Sequence, residues 1–254
     1  MPDSRVTFAA DETVDTVFNG KLSIIQKRTG YRFSIDSLLL AHFASVRTVH
    51  RVVDLGSGNG VVGIVLAELH PKLEVVGLEL QEKMIDRARR SVALNGLDGR
   101  VTMVPGDVRA IGAVVASESF DGAVANPPYR SASSGKINPD AEKRLARHEI
   151  IAEIGDFVRA AAHAVRPGGS LAVVYPARRL IDLFDTMRRE RFEPKRLLLV
   201  HSFADSEASL ALAEGVKGGR AQLKVLPPLA IYTVGRQYTP EVKAMLAGDT
   251  PLKG

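Results

Sequence analysis

The sequence predicts an α/β protein with a doubly wound, Rossmann-like sheet and helices on both faces. Two observations predict this class. Three strand–helix units come early in the chain, and each strand ends at a glycine turn or a carboxylate. The later part of the chain then forms a β-hairpin. In such sheets ligands bind along the carboxyl ends of the strands, which is where we expect the functional site.

The composition is that of an ordinary globular protein. The chain has 254 residues, 45% hydrophobic and 25% charged, which suffices for one large domain with a sizeable core. Its formal net charge of +5 slightly favours polyanionic partners. The lack of cysteine excludes disulfides, thiolate nucleophiles and zinc–thiolate sites. Because neither a signal peptide nor an apolar run of spanning length is seen, we expect a soluble cytoplasmic protein with no membrane partner. We also expect that the protein uses no metal.

Residues 1–50 are predicted to form a small appendage that does not fold independently. Two short strands flank Asn19-Gly20, and Asn-Gly is the favoured type I′ turn of a β-hairpin. A helix over 35–44 follows, because Ser34 can cap its first turn. We interpret His42 on this helix as a packing or surface residue, the usual role of a lone helical histidine.

The main domain, residues 51–254, begins with a buried strand at 51–55 that leads into a glycine turn and a helix. The glycines of this turn are Gly56, Gly58 and Gly60. Without side chains, they let the backbone approach a ligand closely, as in nucleotide-binding strand–turn–helix units. Two related motifs are excluded. Val61 stands where a dinucleotide fingerprint requires glycine, and Ile64-Val65 stand where a P-loop requires Lys-Ser/Thr.

Carboxylates follow the next two strands. The strand at 74–79 ends at Glu79, a position that accepts hydrogen bonds from ribose hydroxyls in folds of this kind. Leu80 beside it could cover an adenine face. After the third strand, Asp107 is placed to accept from an adenine amino group, and Val108 offers a backbone N–H. The simpler alternative for each carboxylate is helix N-capping.

The fourth strand, residues 120–125, ends in the turn Asn126-Pro127-Pro128-Tyr129. The prolines hold this turn in one shape and leave carbonyl oxygens free. The Asn126 side-chain oxygen and the Pro127 carbonyl could each accept one hydrogen of a planar –NH2 group, while Tyr129 offers a ring for stacking. Such acceptors favour the pyramidal, more nucleophilic form of the amine in the transition state. The simpler alternative is that this turn only ends the strand and has no functional role, since Asn and Pro are ordinary turn residues.

A basic segment over 130–147 follows this turn, and its composition predicts a mobile loop. Beside an active site it would suit a phosphate-bearing substrate, although a solvated loop is an equally simple explanation. The candidate residues for contacts to substrate phosphates are Arg130, Lys136, Lys143, Arg144 and Arg147. The remaining predicted elements are helices at 82–94, 150–165 and 178–190 and strands at 170–175, 194–201, 208–216 and 223–234.

Taken together, these motifs resemble those of the class I S-adenosylmethionine-dependent methyltransferases. The resemblance rests on the segment 54–60, Glu79, Asp107, the segment 126–129 and Pro167-Gly168-Gly169. It implies a seven-stranded sheet whose last strand is antiparallel and inserted between the fifth and sixth. It also implies S-adenosyl-L-methionine as the cofactor. The Asn-Pro-Pro-Tyr form resembles the branch that methylates adenine N6, cytosine N4 or glutamine amides.

A closer resemblance covers nearly the whole chain. The stretches 33–41, 147–149, 194–196 and 227–232 are similar to those of the bacterial tRNA-Val adenine N6-methyltransferase group. Members of that group modify the adenine at tRNA position 37, which implies a tRNA partner here.

The resemblance also implies residue roles. The cofactor-binding residues would be Asp54, Gly56, Gly58, Gly60, Glu79, Leu80, Asp107, Val108 and Asn126. Asn126, Pro127 and Tyr129 would be catalytic. Asn126 and Pro127 would orient and polarise the target amine, and Tyr129 would stack on a flipped base.

Other functions stay open. Protein-glutamine methyltransferases of release factors share Asn-Pro-Pro-Tyr, but they carry a helical N-terminal domain, whereas the first 50 residues here read partly as a hairpin. In a small-molecule methyltransferase the basic loops would be incidental. DNA methylation is disfavoured because no recognition domain is apparent. A non-catalytic binding module is disfavoured by the intact Asn-Pro-Pro-Tyr turn.

Overall fold

The structure, a computed structural model, describes residues 7–29, 32–46, 49–129 and 152–249. The strands in these ranges are β1 (Glu12–Val17), β2 (Leu22–Lys27), β3 (Arg51–Leu55), β4 (Glu74–Glu79), β5 (Val101–Pro105), β6 (Phe120–Ala125), β7 (Val165–Pro176), β8 (Phe192–Phe203), β9 (Ala208–Lys217), β10 (Lys224–Val225) and β11 (Leu229–Tyr232). The helices are α1 (Ile35–Phe43), α2 (Val61–Leu69), α3 (Glu82–Leu94), α4 (Ile154–Ala164), α5 (Leu180–Arg189) and α6 (Pro240–Ala247). Short 3-10 helices cover Val108–Ala113 and Ala177–Arg179.

Seven strands form the main part of the sheet, in the order β5-β4-β3-β6-β7-β9-β8. All neighbours are parallel except β9, which is antiparallel to both β7 and β8. Counted from β3, the last strand is therefore inserted between the fifth and the sixth. The expected Rossmann-like methyltransferase sheet is confirmed, and the short strands β10 and β11 extend it along β8.

Two apolar cores cover the two faces of the sheet. Successive residues of β3 point to opposite cores, Val52 to one and Val53 to the other. The first core contains the β1–β2 hairpin together with α1, α2, α3 and α6. The second contains α4, α5 and the 3-10 helix after β5. Burial on both faces explains why β3, β4 and β6 are nearly continuous apolar runs.

The N-terminal hairpin has the predicted turn. Asn19 and Gly20 have φ angles of 53° and 90°, as a type I′ turn requires. The Ser23 N–H donates to Asn95 Oδ1 at 2.9 Å, which ties β2 to the end of α3. His42 is buried, with Nε2 3.0 Å from the Met245 carbonyl oxygen, so its interpretation as a packing residue is confirmed.

Three boundaries differ from the predictions. The strand expected from 170 begins at Val165, but residues 166–169 form a bulge in it: Val165 pairs with Phe120, the next pair is Ser170 with Gly122, and Gly168 has a φ angle of 79°. Gly169 allows this, since a Cβ there would lie 2.4 Å from the Asp121 carbonyl oxygen on the neighbouring strand. The helix expected at 150–165 is described only from Ile154. The helix expected from 178 starts at Leu180, after the 3-10 helix.

The C-terminal region was only partly predicted. The run 223–234 is not one strand but two, because Pro227-Pro228 lack the N–H groups that a sheet ladder needs. Helix α6 was not predicted. Its signal was present in the sequence: Thr239 caps it by accepting from the Val242 N–H at 3.4 Å, and Pro240 occupies its first turn.

Candidate active site

A cavity of about 480 Å³ lies where β3, β4, β5 and β6 end. It is bordered on one side by the turn after β6, residues 126–129, which we call the acceptor turn. The sequence-predicted residues that line it are Asp54, Gly56, Gly58, Glu79, Leu80, Asp107, Val108, Asn126, Pro127 and Tyr129. The tertiary structure thus brings residues from four strand ends to one place.

The glycine turn after β3 forms the floor of this cavity. Gly56 and Gly58 have φ angles of 69° and 56°, a region that other residues rarely adopt. The N–H groups of Gly56 and Ser57 both donate to the Leu78 carbonyl oxygen, at 2.8 and 3.0 Å. A Cβ at Gly58 would have no neighbour within 4 Å, so the space beside it is open to a ligand.

Gly60 is not among the residues that line the cavity. A Cβ there would lie 2.6 Å from Met103 Cε and 3.2 Å from Ala88 Cβ, and its φ angle is 79°. Gly60 therefore permits close packing of the start of α2 against β5 and α3, rather than approach to a ligand.

Glu79 lines the cavity beside the glycine turn. Its Oε2 accepts from the Gly58 N–H at 2.9 Å, and its Oε1 accepts from the Gln81 N–H at 2.9 Å. Each oxygen keeps a second lone pair. The carboxylate is buried and fixed, yet it can accept two more hydrogen bonds, as a vicinal diol would donate.

Asp54 lies at the base of the cavity and is almost fully buried. Burial raises the pKa of its carboxyl to about 7; the neighbouring Glu79 charge adds to this, while a hydrogen bond from the Gly63 N–H opposes it. Its Oδ2 has no hydrogen-bond partner among the described residues. A buried carboxylate oxygen without a partner fits a ligand that brings an ammonium group or an N–H donor.

Asp107 serves two purposes. Its Oδ1 accepts from the Arg109 N–H at 2.9 Å and caps the 3-10 helix, the alternative that the sequence left open. The Arg109 guanidinium also pairs with it and holds the pKa of the Asp107 carboxyl below its usual range. Asp107 nevertheless lines the cavity, as do the buried Val108 and the exposed Leu80.

The acceptor turn is held by the start of α1. The Tyr129 hydroxyl lies 2.9 Å from Asp36 Oδ2 and 3.1 Å from Asn126 Oδ1. Asn126 Nδ2 donates to Ser37 Oγ at 3.2 Å. The Tyr129 ring contacts Tyr175 on β7 edge to face, with centroids 6.4 Å apart. The Asn126 side chain and the Tyr129 ring are therefore both fixed at the edge of the cavity.

The sequence reasoning did not assign several lining residues to the site. These are Arg32, Phe33, Ser34, Asp36, Ser37, Ser57, Asn59, Met84, Arg109, Ala152 and Phe157, among others. Asp36 and Ser37 had a signal, since two polar residues open an otherwise apolar helix. Ser34 stands at the N-cap position of α1, but its side chain makes no cap hydrogen bond.

The expected RNA-binding residues Arg130, Lys136, Lys143, Arg144 and Arg147 lie outside the described residues. Within the described ranges, His, Asp and Glu side chains form no group of three or more that could hold a metal ion. No helix in that part of the chain is both long and apolar enough to cross a bilayer.

The model of the methyltransferase small domain family matches residues 34–190. The chain belongs to this family. The match begins at the start of α1 and runs through the cavity and the acceptor turn to the end of α5. The prediction of a class I S-adenosylmethionine-dependent methyltransferase, with S-adenosyl-L-methionine as its cofactor, is confirmed.

Individual relatives agree with this family. A Porphyromonas gingivalis protein named tRNA1(Val) (adenine(37)-N6)-methyltransferase is 26% identical over 200 residues, 76% of this chain and 78% of the relative. A Bacteroides thetaiotaomicron protein of the same name is 27% identical over 202 residues, 72% and 81% of the two chains. A crystal structure described as a predicted O-methyltransferase from Agrobacterium tumefaciens is 26% identical, with a TM-score of 0.69, over 85% of this chain and 97% of that one.

The cavity of this methyltransferase fits its cofactor. The Asp54 oxygen that has no partner among the described residues could accept from the amino group of the cofactor. The free lone pairs of Glu79 could accept from its ribose diol, and the open space at Gly58 allows the ligand to approach the backbone closely.

Proposed function

We propose that this methyltransferase methylates the exocyclic N6 amine of an adenine in tRNA, at position 37 of a valine tRNA. The observation that carries the proposal is the acceptor turn, which lines the same cavity as Asp54 and Glu79. The substrate itself is taken from the names of the relatives.

On this proposal, Asp54, Gly56, Gly58, Glu79, Leu80, Asp107 and Val108 hold S-adenosylmethionine. When bound, the cofactor supplies an electrophilic methyl group. Asn126 Oδ1 and the Pro127 carbonyl accept the two hydrogens of the target amine, which localises its lone pair on nitrogen. Tyr129 stacks on the flipped base, and its contact with Tyr175 keeps its ring in place beforehand.

A nucleic-acid substrate is supported by arginines beside this turn. Arg178 and Arg179 follow β7, the strand next to β6 in the sheet. Arg178 is exposed and makes no ion pair with any described residue. Arg179 lies 5.1 Å above the Tyr175 ring, which in turn contacts Tyr129. Cations next to a pocket for a flipped base suit the phosphates that flank it.

A second candidate is favoured by the Agrobacterium structure, which matches over nearly its whole length and is described as a predicted O-methyltransferase. A hydroxyl group has only one hydrogen to donate, whereas the acceptor turn offers two oxygens. An –NH2 group uses both, and so does a glutamine amide. We therefore rank methylation of an adenine amine first and of a hydroxyl-bearing small molecule second.

The proposal is tested by incubating tRNA with the protein and labelled S-adenosylmethionine, then analysing the nucleosides by mass spectrometry. We expect labelled N6-methyladenine from tRNA, and far less when Asn126 is replaced by alanine. Label that appears only on a release factor or on a small-molecule hydroxyl would refute the tRNA assignment.

A further inference from the structure

We propose that Asp36 and Ser37, in the first turn of α1, are positioning residues that hold Tyr129 and Asn126 ready for methyl transfer. This inference rests on the proposed function. It also gives a role to the polar start of α1, which neither the cofactor nor the base uses in the scheme above.

Asp36 and Ser37 do not do what polar residues at a helix start usually do. Such residues normally cap the helix with a side-chain hydrogen bond, and no side chain caps α1. Instead, both point to the acceptor turn, about ninety positions further along the chain. Asp36 Oδ2 is 2.9 Å from the Tyr129 hydroxyl, and the buried Ser37 Oγ is 3.2 Å from Asn126 Nδ2.

The contact with Asp36 fixes the Tyr129 hydroxyl beside Asn126. Among the described residues, this hydroxyl lies 2.9 Å from Asp36 Oδ2 and 3.1 Å from Asn126 Oδ1. A carboxylate is the stronger acceptor, because its hydrogen bonds are charge-assisted, so Asp36 anchors the hydroxyl. Asn126 Oδ1 has two lone pairs, and one of them stays available for a hydrogen of the target amine even when the hydroxyl hydrogen is shared with it.

The contact with Ser37 restrains the Asn126 amide. Ser37 Oγ lies 3.2 Å from Nδ2 and the Tyr129 hydroxyl lies 3.1 Å from Oδ1, so the amide is held at both ends. Because an amide has a donor at one end and an acceptor at the other, its function depends on how it is oriented. Without the Ser37 contact, the amide could rotate and move its oxygen away from the target amine.

Both side chains therefore act through other residues. Neither Asp36 nor Ser37 needs to touch the reacting nitrogen or the methyl group. Their loss should lower the rate of transfer while leaving cofactor binding intact, because the residues proposed to hold the cofactor lie at the ends of β3, β4 and β5 and in the turns that follow them. Displacing a catalytic group by a fraction of an ångström to one ångström can cost about a hundredfold in rate.

The kinetic test compares Asp36→Asn and Ser37→Ala with Glu241→Gln as a matched control. Glu241 is also an acidic residue in a first helical turn, but it is exposed on α6. We expect kcat for tRNA methylation to fall at least about tenfold in the two test variants. The KM for tRNA, the affinity for S-adenosylhomocysteine and the melting temperature should stay near wild type. A loss in Asp36→Asn no larger than in the control would overturn the proposal.

A double-mutant cycle separates positioning from a general structural role. If Asp36 acts through the Tyr129 hydroxyl, Asp36→Asn combined with Tyr129→Phe should be no slower than the slower of the two single variants. If instead the two losses in kcat multiply, the two residues act independently and the inference is wrong.

A third measurement does not depend on the substrate. The side-chain NH2 resonances of Asn126, observed by NMR in 15N-labelled protein, should shift in Ser37→Ala and in Asp36→Asn. They should stay in place in the Glu241→Gln control. If tRNA is not methylated at all, the proposed function fails, yet these resonances still report whether α1 holds the acceptor turn. Unchanged resonances in both test variants would overturn the inference by themselves.

Discussion

The guanidinium of Arg109 lies against the carboxylate of Asp107, with Nε 2.9 Å from each of the two carboxylate oxygens. The pair stands at the edge of the cavity, where Asp107 is proposed to accept from the adenine amino group of the cofactor. A carboxylate has about four lone-pair positions, so Arg109 can fix its orientation and still leave an acceptor free. Arg109 is thus expected to orient Asp107 rather than to contact the cofactor.

Because of this arrangement, we expect replacement of Asp107 to weaken cofactor binding more than replacement of Arg109. Asp107→Ala removes the acceptor and should weaken S-adenosylhomocysteine binding about tenfold to a hundredfold, the value of a hydrogen bond to a charged group. Arg109→Ala removes only its orientation and should weaken binding a few-fold. The double variant should match Asp107→Ala. Isothermal titration calorimetry measures all three, and an Arg109→Ala effect that persists in the absence of Asp107 would contradict this role.

Asp54 should make cofactor binding depend on pH. Its carboxyl has a pKa of about 7 in the folded protein, so it becomes ionised only as the pH rises through neutrality. If it binds the cofactor amino group, affinity should increase between about pH 6 and pH 8. Asp54→Asn should bind weakly throughout and lose that part of the dependence. If the pH dependence of affinity came from ionisation of the ligand instead, it would persist unchanged in Asp54→Asn.

The same ionisation predicts the opposite effect on folding. The pKa of Asp54 is raised from 3.8 to about 7 by folding, so its contribution to stability is full below the lower value and is lost as the pH rises through the higher one. Without cofactor, Asp54→Asn should therefore be more stable than wild type at pH 8 and show little gain at pH 4. Urea unfolding at the two pH values tests this, and a variant that is less stable at both would show that the buried carboxylate is not under strain.

Asn126→Ala should strongly reduce methyl transfer and leave cofactor binding nearly intact. Removing one precisely placed hydrogen-bonding group of this kind lowers kcat by about a hundredfold to a thousandfold. Single-turnover methylation of tRNA gives the rate, and calorimetry with S-adenosylhomocysteine gives the affinity. If affinity falls as much as the rate, Asn126 belongs to the cofactor site and not to the acceptor turn.

Arg178→Gln should weaken RNA binding, and Arg191→Gln serves as its matched control. Both arginines are exposed, but Arg178 follows the carboxyl end of β7 whereas Arg191 precedes the amino end of β8, which runs in the same direction. We expect the slope of log affinity against log salt concentration to fall by about 1 for Arg178→Gln only, the loss of one phosphate contact. Fluorescence anisotropy with labelled tRNA over a salt series measures the slope. Equal slopes in the two variants would remove Arg178 from the RNA interface.

Glu214 should be important for stability rather than for catalysis. It is buried on β9, accepts from Arg196 Nη1 at 2.7 Å and from the Ser45 N–H at 2.9 Å, and so fastens the end of α1 to the sheet. Glu214→Ala removes the carboxylate that balances the Arg196 charge and should cost about 3–5 kcal/mol of unfolding free energy. The exposed Glu207→Ala should cost less than about 0.5 kcal/mol. Urea denaturation would contradict this if the two variants were alike.

The strand and helix positions near the site could be predicted from the sequence because their signals are local. The strands at 51–55, 74–79 and 120–125 and the helix at 82–94 have the predicted bounds, since apolar runs and glycine turns specify them within a few residues. The start of the strand expected from 170 was less well predicted, for a non-local reason. Pairing of Val165 with Phe120 extends β7 to Val165, whereas residues 166–169 are skipped in the register with β6 and form a bulge in which Gly168 has a φ angle of 79°.

The sequence by itself determined the chemistry that is available: the glycine turn, the carboxylates after two strands and the paired oxygens of the acceptor turn. These features follow from residue type and from proximity along the chain. Only the tertiary structure decided that Asp36 and Ser37 hold the acceptor turn, that Arg109 occupies Asp107, and that Gly60 serves packing. The contacts of Asp36, Ser37 and Arg109 depend on side-chain directions, and the role of Gly60 depends on the space left between elements. Parallel strands bring their carboxyl ends to one edge of the sheet, so residues far apart in sequence meet there.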